Sequence, residues 1–298
     1  MSIILVTGGA GFIGSNFIRL FHKKYRIVNV DKMTYAATRV PGVIKADIAD
    51  KSRISTIFKK YRPDYLVNFA AETHVDRSIH GHAEDFVRTN VHGVFTLLEA
   101  VKKFGIKKFV QVSTDEVYGD VEVNSKKKFT ETSTLHPSSP YSSTKAAGDL
   151  LCLSYHRTYG LPVVVTRGSN TYGPYQYPEK LIPFFVLRML RGKKMPLYGD
   201  GKNTRDWLFV EDHCRAIERV LRKGKVGEIY NISADEYHTN LDIARRIGGS
   251  IEFVPDRPGH DRKYAPDSTK IRKELGWKPK AKFDDAMEKT LEWFKENL

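Results

Sequence analysis

The sequence predicts an α/β fold, a doubly wound parallel sheet joined to a smaller C-terminal α/β region. Three observations carry this expectation. Six apolar runs, IILVT, RIVNVD, DYLVNFA, KKFVQVS, LPVVVTR and EIYNIS, read as buried strands. Amphipathic stretches with apolar residues three or four apart lie between strands, which is the pattern of βαβ units. After about residue 170 the composition turns to Pro/Gly/Tyr-rich loops, TYGPYQYPEKLIP and MPLYGDGKNTRDW, the mark of a second region over the sheet's ligand edge.

Composition narrows the class. With 298 residues and 41% hydrophobic content, the chain can bury one large core and a smaller one. No run approaches the ~18 apolar residues of a membrane helix, and MSIILVTGG enters a strand with no secretory n-region, so no membrane partner and a cytoplasmic location are expected. The two cysteines, Cys152 and Cys214, sit in helix-like apolar patterns and read as free buried thiols. A formal charge of +14 suits an anionic partner, but no basic run is interleaved with aromatics. The cations therefore read as solvated helix faces, and no nucleic-acid partner is expected.

The first strand runs into TGGAGFIGSNF, which spaces Gly8, Gly11 and Gly14 as G-x-x-G-x-x-G before the helix FIGSNFIRLFHKK. Such glycines let backbone approach a pyrophosphate, and the helix start offers unpaired N–H groups. The next strand ends at Asp31, where an acid accepts from ribose hydroxyls and repels a 2′-phosphate, favouring NAD. Lys32 beside it works against that argument. Asp47, after a further short strand, either reaches the adenine or caps the helix DKSRISTIFKKY.

Further along, EDFVRTNVHGVFTLLEAVKKF reads as one helix, and KKFVQVS leads to Thr114, Asp115 and Glu116. The helix SSTKAAGDLLCLSYHRTY is preceded by Tyr141, four residues before Lys145, which puts phenol and ammonium on one face. An ammonium beside a phenol lowers its pKa and equips it to take a proton from a substrate hydroxyl.

Glycine loop, VST and Y-x-x-x-K together resemble the extended short-chain dehydrogenase/reductase family. The resemblance implies a Rossmann-type domain in residues 1–170 with 206–232 returning to it, and a substrate domain in 171–205 and 233–298. It also implies that Tyr141 and Lys145 work with Thr114 beside the nicotinamide.

Hydride transfer needs no acid pair, so Asp115 and Glu116 imply a second reaction. Oxidising a sugar hydroxyl acidifies the neighbouring C–H; a carboxylate then takes that proton while a carboxylic acid protonates a leaving hydroxyl one carbon on. Two acids so close split their pKa values, keeping one protonated at neutral pH. The blocks DKMTYA, AAETHVDRSI, STDEVYGD, PSSPYSSTKAAGD, SNTYGPYQYPEKLIP, YGDGKNTRDWLFVEDHCRAI and DRPGHDRKYAPDSTKI narrow the resemblance to the dTDP-glucose 4,6-dehydratases. By that resemblance Tyr141 deprotonates the C4 hydroxyl, Glu116 is the base at C5 and Asp115 the acid at the C6 hydroxyl. The expected reaction gives dTDP-4-dehydro-6-deoxy-glucose.

The resemblance assigns NAD contacts beyond the glycines to Phe12, Ile13, Asp31, Lys32, Met33 and Thr34, then to Asp47, Ile48, Ala70, Ala71 and Thr89. Substrate contacts fall on Thr73, Asn170, Lys180, Leu181, Pro196 and Leu197, on Tyr198, Arg205 and Asn231, and on Asp256, Arg257, Pro258, Gly259 and His260. Lys180 and Arg205 suit a diphosphate. His74 and His260 have no partners at ligand spacing, so no metal is expected. Broad apolar faces on FVRTNVHGVFTLLEAV and SSTKAAGDLLCLSYH either pair across a homodimer, as the family does, or pack internally.

Three departures from the family pattern stand out: a short segment ATRVPGVIK, Thr171 where an amide is usual, and a compact ISADEYHTNLDIARRIGGSIEF. The alternatives left open are UDP-glucose or another nucleotide sugar as substrate, a 4-epimerase or decarboxylase of the same family, and a basic nucleotide- or RNA-associated protein on an inactive scaffold.

Overall fold

The computed structural model describes residues 1–297. Strands β1 (Ile3–Thr7), β2 (Arg26–Asp31), β3 (Ile44–Lys45), β4 (Tyr65–Asn68), β5 (Lys108–Thr114) and β6 (Val163–Gly168) build a large sheet. Then β7 (Asn170–Tyr172), β8 (Met195–Tyr198) and β9 (Thr204–Phe209) leave it, β10 (Ile229–Ile232) returns to its edge, and β11 (Tyr237–Thr239) and β12 (Ile251–Val254) complete two small sheets. The helices in the first half are α1 (Phe12–Phe21), α2 (Lys51–Tyr61), α3 (Val75–Ile79), α4 (Ala83–Phe86), α5 (Val94–Phe104) and α6 (Pro140–Tyr159). They are followed by α7 (Leu181–Leu190), α8 (Val210–Lys223), α9 (Asn240–Ile247), α10 (Thr269–Leu275) and α11 (Phe283–Asn297).

The large sheet runs β10-β6-β5-β4-β1-β2-β3, with every neighbouring pair parallel. Its inner strands read as unbroken apolar runs because both faces are covered. Ile4, Val6 and Val110 point into the core under α1 and α8, while Leu5 and Phe109 point into the core under α2, α5 and α6. The chain winds outward in both directions from β1 and β4, so a crevice opens beyond their C-terminal ends. The small sheets, β11-β9-β7 and β12-β8, stand over that crevice.

All six strands expected from the sequence form, and the further short strand expected before Asp47 is β3, two residues long. The helix expected over EDFVRTNVHGVFTLLEAVKKF is instead broken into α4, a π-helical stretch Val87–Gly93 and α5. A π turn takes one extra residue and redirects the side chains that follow it. Here it lets Asn90 accept from the Glu72 N–H (2.9 Å) and donate to the Glu72 carbonyl (3.0 Å) and Thr144 Oγ1 (3.0 Å), tying the stretch to the cleft floor and to α6.

The start of α6 is fixed by local chemistry. Ser139 and Ser142 form a reciprocal capping box and Pro140 occupies the first turn, both strong helix-start signals. That start sets where Tyr141 and Lys145 emerge. Among the described residues, no helix is long and apolar enough to cross a membrane.

Candidate active site

A single cavity of about 720 Å³ runs along the C-terminal edge of the large sheet, from the glycine loop after β1 to the loop carrying Arg257 and His260. Gly8 holds φ +72, and a Cβ there would meet the Ala70 backbone nitrogen at 2.4 Å. A Cβ on Gly14 would meet the Gly8 carbonyl oxygen at 2.2 Å, so helix and loop touch without side chains. No side chain caps α1 at Gly11, which leaves its first N–H groups for an anion. Phe12 and Ile13 line the cavity at this point, with Ala70, Ala71 and Thr89 on the facing wall.

At the end of β2, Asp31 accepts from the backbone N–H of Ala10 (2.9 Å) and of Met33 (2.7 Å), which holds its carboxylate against the glycine loop. Lys32 turns to Asp47, with Nζ 3.4 Å from Oδ2, and so does not offset Asp31. Asp47 also pairs with Arg88 (3.2 Å) and accepts from the Ala49 N–H (2.9 Å). These contacts hold its carboxyl below the usual range even though burial pushes the other way. Asp47 is not the cap of α2, because Asp50 takes that position and accepts from the Arg53 N–H. Asp47, Ile48 and Thr34 line the cavity; the side chain of Met33, expected there, points to solvent from a backbone at φ +60.

The chemical centre lies where β5 ends. Thr114 ends the strand, and Asp115 and Glu116 open a short 3₁₀ turn that presents both acids to the cavity. The Thr114 hydroxyl donates to Asp115 Oδ1 (3.4 Å) and accepts from the Glu116 N–H (3.2 Å). Asp115 is 2% exposed and its Oδ2 has no partner. Burial first, then the charges of Glu116 and Asp206, raise the Asp115 carboxyl well above its ordinary range. Burial also raises Glu116, but Lys180, Arg205 and Arg257 oppose it. Both carboxyls are thus raised, Asp115 with the Glu116 charge adding to its burial and Glu116 with three cations opposing the rise.

Tyr141 and Lys145 both reach the cavity from α6. The expectation that the ammonium brings the phenol down is not met in this structure. Lys145 Nζ donates to the Val112 carbonyl (2.7 Å), and burial lowers it to about 8. Burial and then the Glu116 charge raise the Tyr141 phenol well above its ordinary value, while a hydrogen bond with Thr114 opposes the rise.

On the substrate side, Thr73, Asn170, Lys180 and Leu181 line the cavity, as do Pro196, Leu197 and Tyr198. Lys180 Nζ donates to the Thr73 carbonyl at 2.5 Å. Arg205 is buried with its fork directed at main-chain carbonyls of Thr204 (2.9 Å), Arg262 (3.3 Å) and Asp261 (2.8 Å), which leaves it little to offer a diphosphate. Arg257 is better placed. It lines the cavity, pairs with Asp76 (2.8 Å) and keeps a buried Nε without a partner.

Of the DRPGH run, Arg257 and His260 face the cavity. Asp256 holds His260 Nδ1 at 2.6 Å, Gly259 makes a turn at φ +64, and neither they nor Pro258 line the wall. Asn231 is also outside it: its amide accepts from the Tyr118 hydroxyl (2.8 Å) and donates to the Phe129 (2.9 Å) and Asp267 (3.2 Å) carbonyls deep in the core.

Among the cavity residues with no role assigned from sequence, four carry groups that bear on the chemistry: Glu72, Asp76, His213 and Tyr264. Tyr264 donates to Asp261 (2.6 Å) and lies 3.5 Å from Glu116 Oε2. His213 meets the Thr171 hydroxyl at 2.8 Å, so Thr171 fills the usual amide position with a partner of its own. All four lie inside the motif blocks quoted above, and that membership was their only signal in the sequence. Among the described residues no cluster of three or more His, Cys, Asp or Glu is arranged to hold a metal.

The family model described as GDP-mannose 4,6 dehydratase matches residues 5–290. A dTDP-glucose 4,6-dehydratase of Haemophilus influenzae is 47% identical over 333 aligned positions, covering 99% of this chain and 98% of its own. The chain belongs to the dTDP-glucose 4,6-dehydratase family. Because the alignment is longer than the 298 residues here, members of this family such as the Haemophilus enzyme carry segments that this chain lacks.

Solved structures agree. A dTDP-glucose 4,6-dehydratase from Streptomyces venezuelae, with NAD bound, superposes with a TM-score of 0.93 at 43% identity, covering 99% of this chain and 97% of its own. A UDP-glucose 4-epimerase of Thermus thermophilus, in complex with NAD, reaches the same TM-score at 29% identity, covering 99% and 100%. The backbone is thus common to dehydratases and epimerases, and the higher identity lies with the dehydratases.

Proposed function

We propose that this chain removes water from dTDP-glucose to give dTDP-4-dehydro-6-deoxy-glucose, with NAD as a resident cofactor. The observation that carries the reading is the acid pair at the end of β5, facing the same cavity as Tyr141 and the glycine loop. NAD fits the residues present: the close approach at Gly8 and Gly14, the uncapped start of α1, and Asp31 with Lys32 turned away from it. The chemistry it supplies when bound is hydride storage, with one hydride leaving C4 and the same one returned to C6.

The chain's own groups handle protons. Tyr141 takes the C4 hydroxyl proton, assisted by Thr114 and by the positive charge that oxidised NAD would bring beside the phenol against the burial that raises it, while Lys145 braces the site from the Val112 carbonyl. Glu116, flanked by Lys180, Arg205 and Arg257, takes the proton from C5. Asp115, protonated by virtue of its burial, gives a proton to the departing C6 hydroxyl from its free Oδ2. Arg257 and Lys180 bind the diphosphate, and Tyr198 and His260 frame the base. Residues 1–170 with 206–232 hold the cofactor, and 171–205 with 233–298 hold the sugar nucleotide.

Incubating the purified protein with dTDP-glucose should give a product lighter by one water and bearing a 4-keto group. A product of unchanged mass would indicate epimerisation, loss of carbon dioxide from a uronic acid would indicate decarboxylation, and turnover of UDP-glucose alone would change the nucleotide. We further propose a homodimer through α5 and α6, where Val87, Phe95, Leu150 and Tyr159 are exposed apolar residues on neighbouring surfaces. Leu150→Glu should halve the mass measured by light scattering; a wild-type monomer would end this part of the proposal.

A further inference from the structure

The proposed reaction needs groups from two separate elements to meet one sugar ring, and the inference rests on that reading. Tyr141 works at C4 from α6, while Asp115 and Glu116 work at C5 and C6 from the 3₁₀ turn after β5. A misplacement of about 1 Å between such groups costs roughly a hundredfold in rate. The two elements must therefore be held at a fixed place relative to each other.

Arg167 lies between them. Val163 and Val165 of β6 pack on the α6 face of the large sheet, and Arg167, two residues on, points the same way. It is 2% exposed and stands opposite Ser113 in the β5–β6 register, one residue before Thr114. On one side its Nε donates to Asp149 Oδ2 at 2.9 Å. Asp149 is buried on α6, one helical turn beyond Lys145 and two beyond Tyr141. On the other side the guanidinium carbon stands 4.8 Å from the centre of the Tyr118 ring, within cation–π range. Tyr118 is the last residue of the turn that carries the two acids. Its ring stacks on Phe129 at 5.2 Å and its hydroxyl donates to Asn231 at 2.8 Å, which makes the ring a fixed point for the turn.

Stability alone does not account for this arginine. The ion pair is a single hydrogen bond in place of a fork, because Arg167 Nη1 and Asp149 Oδ1 have no partners. A buried pair with unmet hydrogen bonds adds little over apolar residues of similar volume. What the guanidinium does that an aliphatic side chain would not is hold a carboxylate and an aromatic face at set distances.

We infer that Arg167 is a positioning residue that joins α6 to the acid-bearing turn and sets the place of Tyr141 relative to Asp115 and Glu116. Asn231 belongs to the same bracket, through Tyr118.

The test breaks the bracket without leaving a lone buried charge. Asp149→Leu combined with Arg167→Met removes both ends of the ion pair, and Tyr118→Leu removes the other arm. Rapid mixing reads the absorbance of reduced cofactor, which reports oxidation at C4, and quenched-flow mass spectrometry reads loss of water. The double variant should unfold near the wild-type temperature, yet its ratio of elimination rate to oxidation rate should fall about a hundredfold as reduced cofactor builds up. Tyr118→Leu should show the same fall. All three substitutions together should lower the ratio no further, because the two arms act through one residue.

An unchanged ratio in the double variant, whatever its stability, overturns the proposal, and so do losses that multiply when the arms are combined. Should these variants fail to fold, Arg167→Lys decides, since it keeps a charge opposite Asp149 but lacks the planar group that faces Tyr118. A lowered ratio is expected there, and an unchanged one overturns the inference. Wild-type protein that reduces its cofactor and never loses water would refute the proposed reaction instead, before any variant is compared.

Discussion

Glu116→Gln is expected to stop elimination while leaving the first oxidation measurable. The amide preserves the shape of the side chain beside Tyr264 and Lys180 but cannot take a proton from C5. Loss of a general base costs about a hundred- to ten-thousandfold. Solvent deuterium at C5 should vanish along with product, while the absorbance of reduced cofactor still rises on adding substrate. Normal dehydration by this variant would mean that another group is the base.

The wild-type pH profile follows from the same pair. Glu116 must be ionised, and its carboxyl is raised, so the rate should fall as pH drops through a value above the ordinary glutamate range. Asp115 must be protonated, and burial raises it further, so the rate should fall again as pH climbs through its higher value. Activity is thus confined to a window between the two. The low-pH limb belongs to Glu116, and a profile without it would remove the assignment.

Gly8→Ala is expected to be the most damaging single methyl group in the cofactor half. The added carbon would sit 2.4 Å from the Ala70 nitrogen, and the residue would have to keep φ +72. Strained backbone and forced overpacking together cost roughly 2–4 kcal/mol. Denaturant unfolding should show this loss, and calorimetry should show NAD affinity falling with it. Unchanged stability and affinity would mean that the loop relaxes freely, against the tight contact between the β1 turn and the chain after β4.

What the sequence made legible was local. Parallel strands buried on both faces appear as continuous apolar runs, and the glycine loop, the acid pair and the tyrosine–lysine spacing each bring their chemistry within a few residues. What it hid depends on distant partners. Nothing near Asn231 announces that its amide is taken by Tyr118, Phe129 and Asp267, and nothing near Arg205 announces three carbonyls waiting for its fork. The effect of Lys145 on Tyr141 was read from spacing alone, and spacing does not reveal that the ammonium is anchored to Val112. The π-helical stretch was hidden for a related reason, since its shift in period spans only Val87–Gly93, too few residues to stand out in the apolar pattern of the long helical run around it.

The cavity draws its walls from Gly8 at one end of the chain and Tyr264 near the other. A ribosome making this protein therefore lays down the glycine loop, the acid pair and Tyr141 long before the pocket exists. Until the last quarter of the polypeptide has emerged and Arg257 has met Asp76, the nascent molecule holds its acid pair beside an open edge. Any product of premature termination upstream of that point would keep the glycine loop and lack an enclosed reaction chamber.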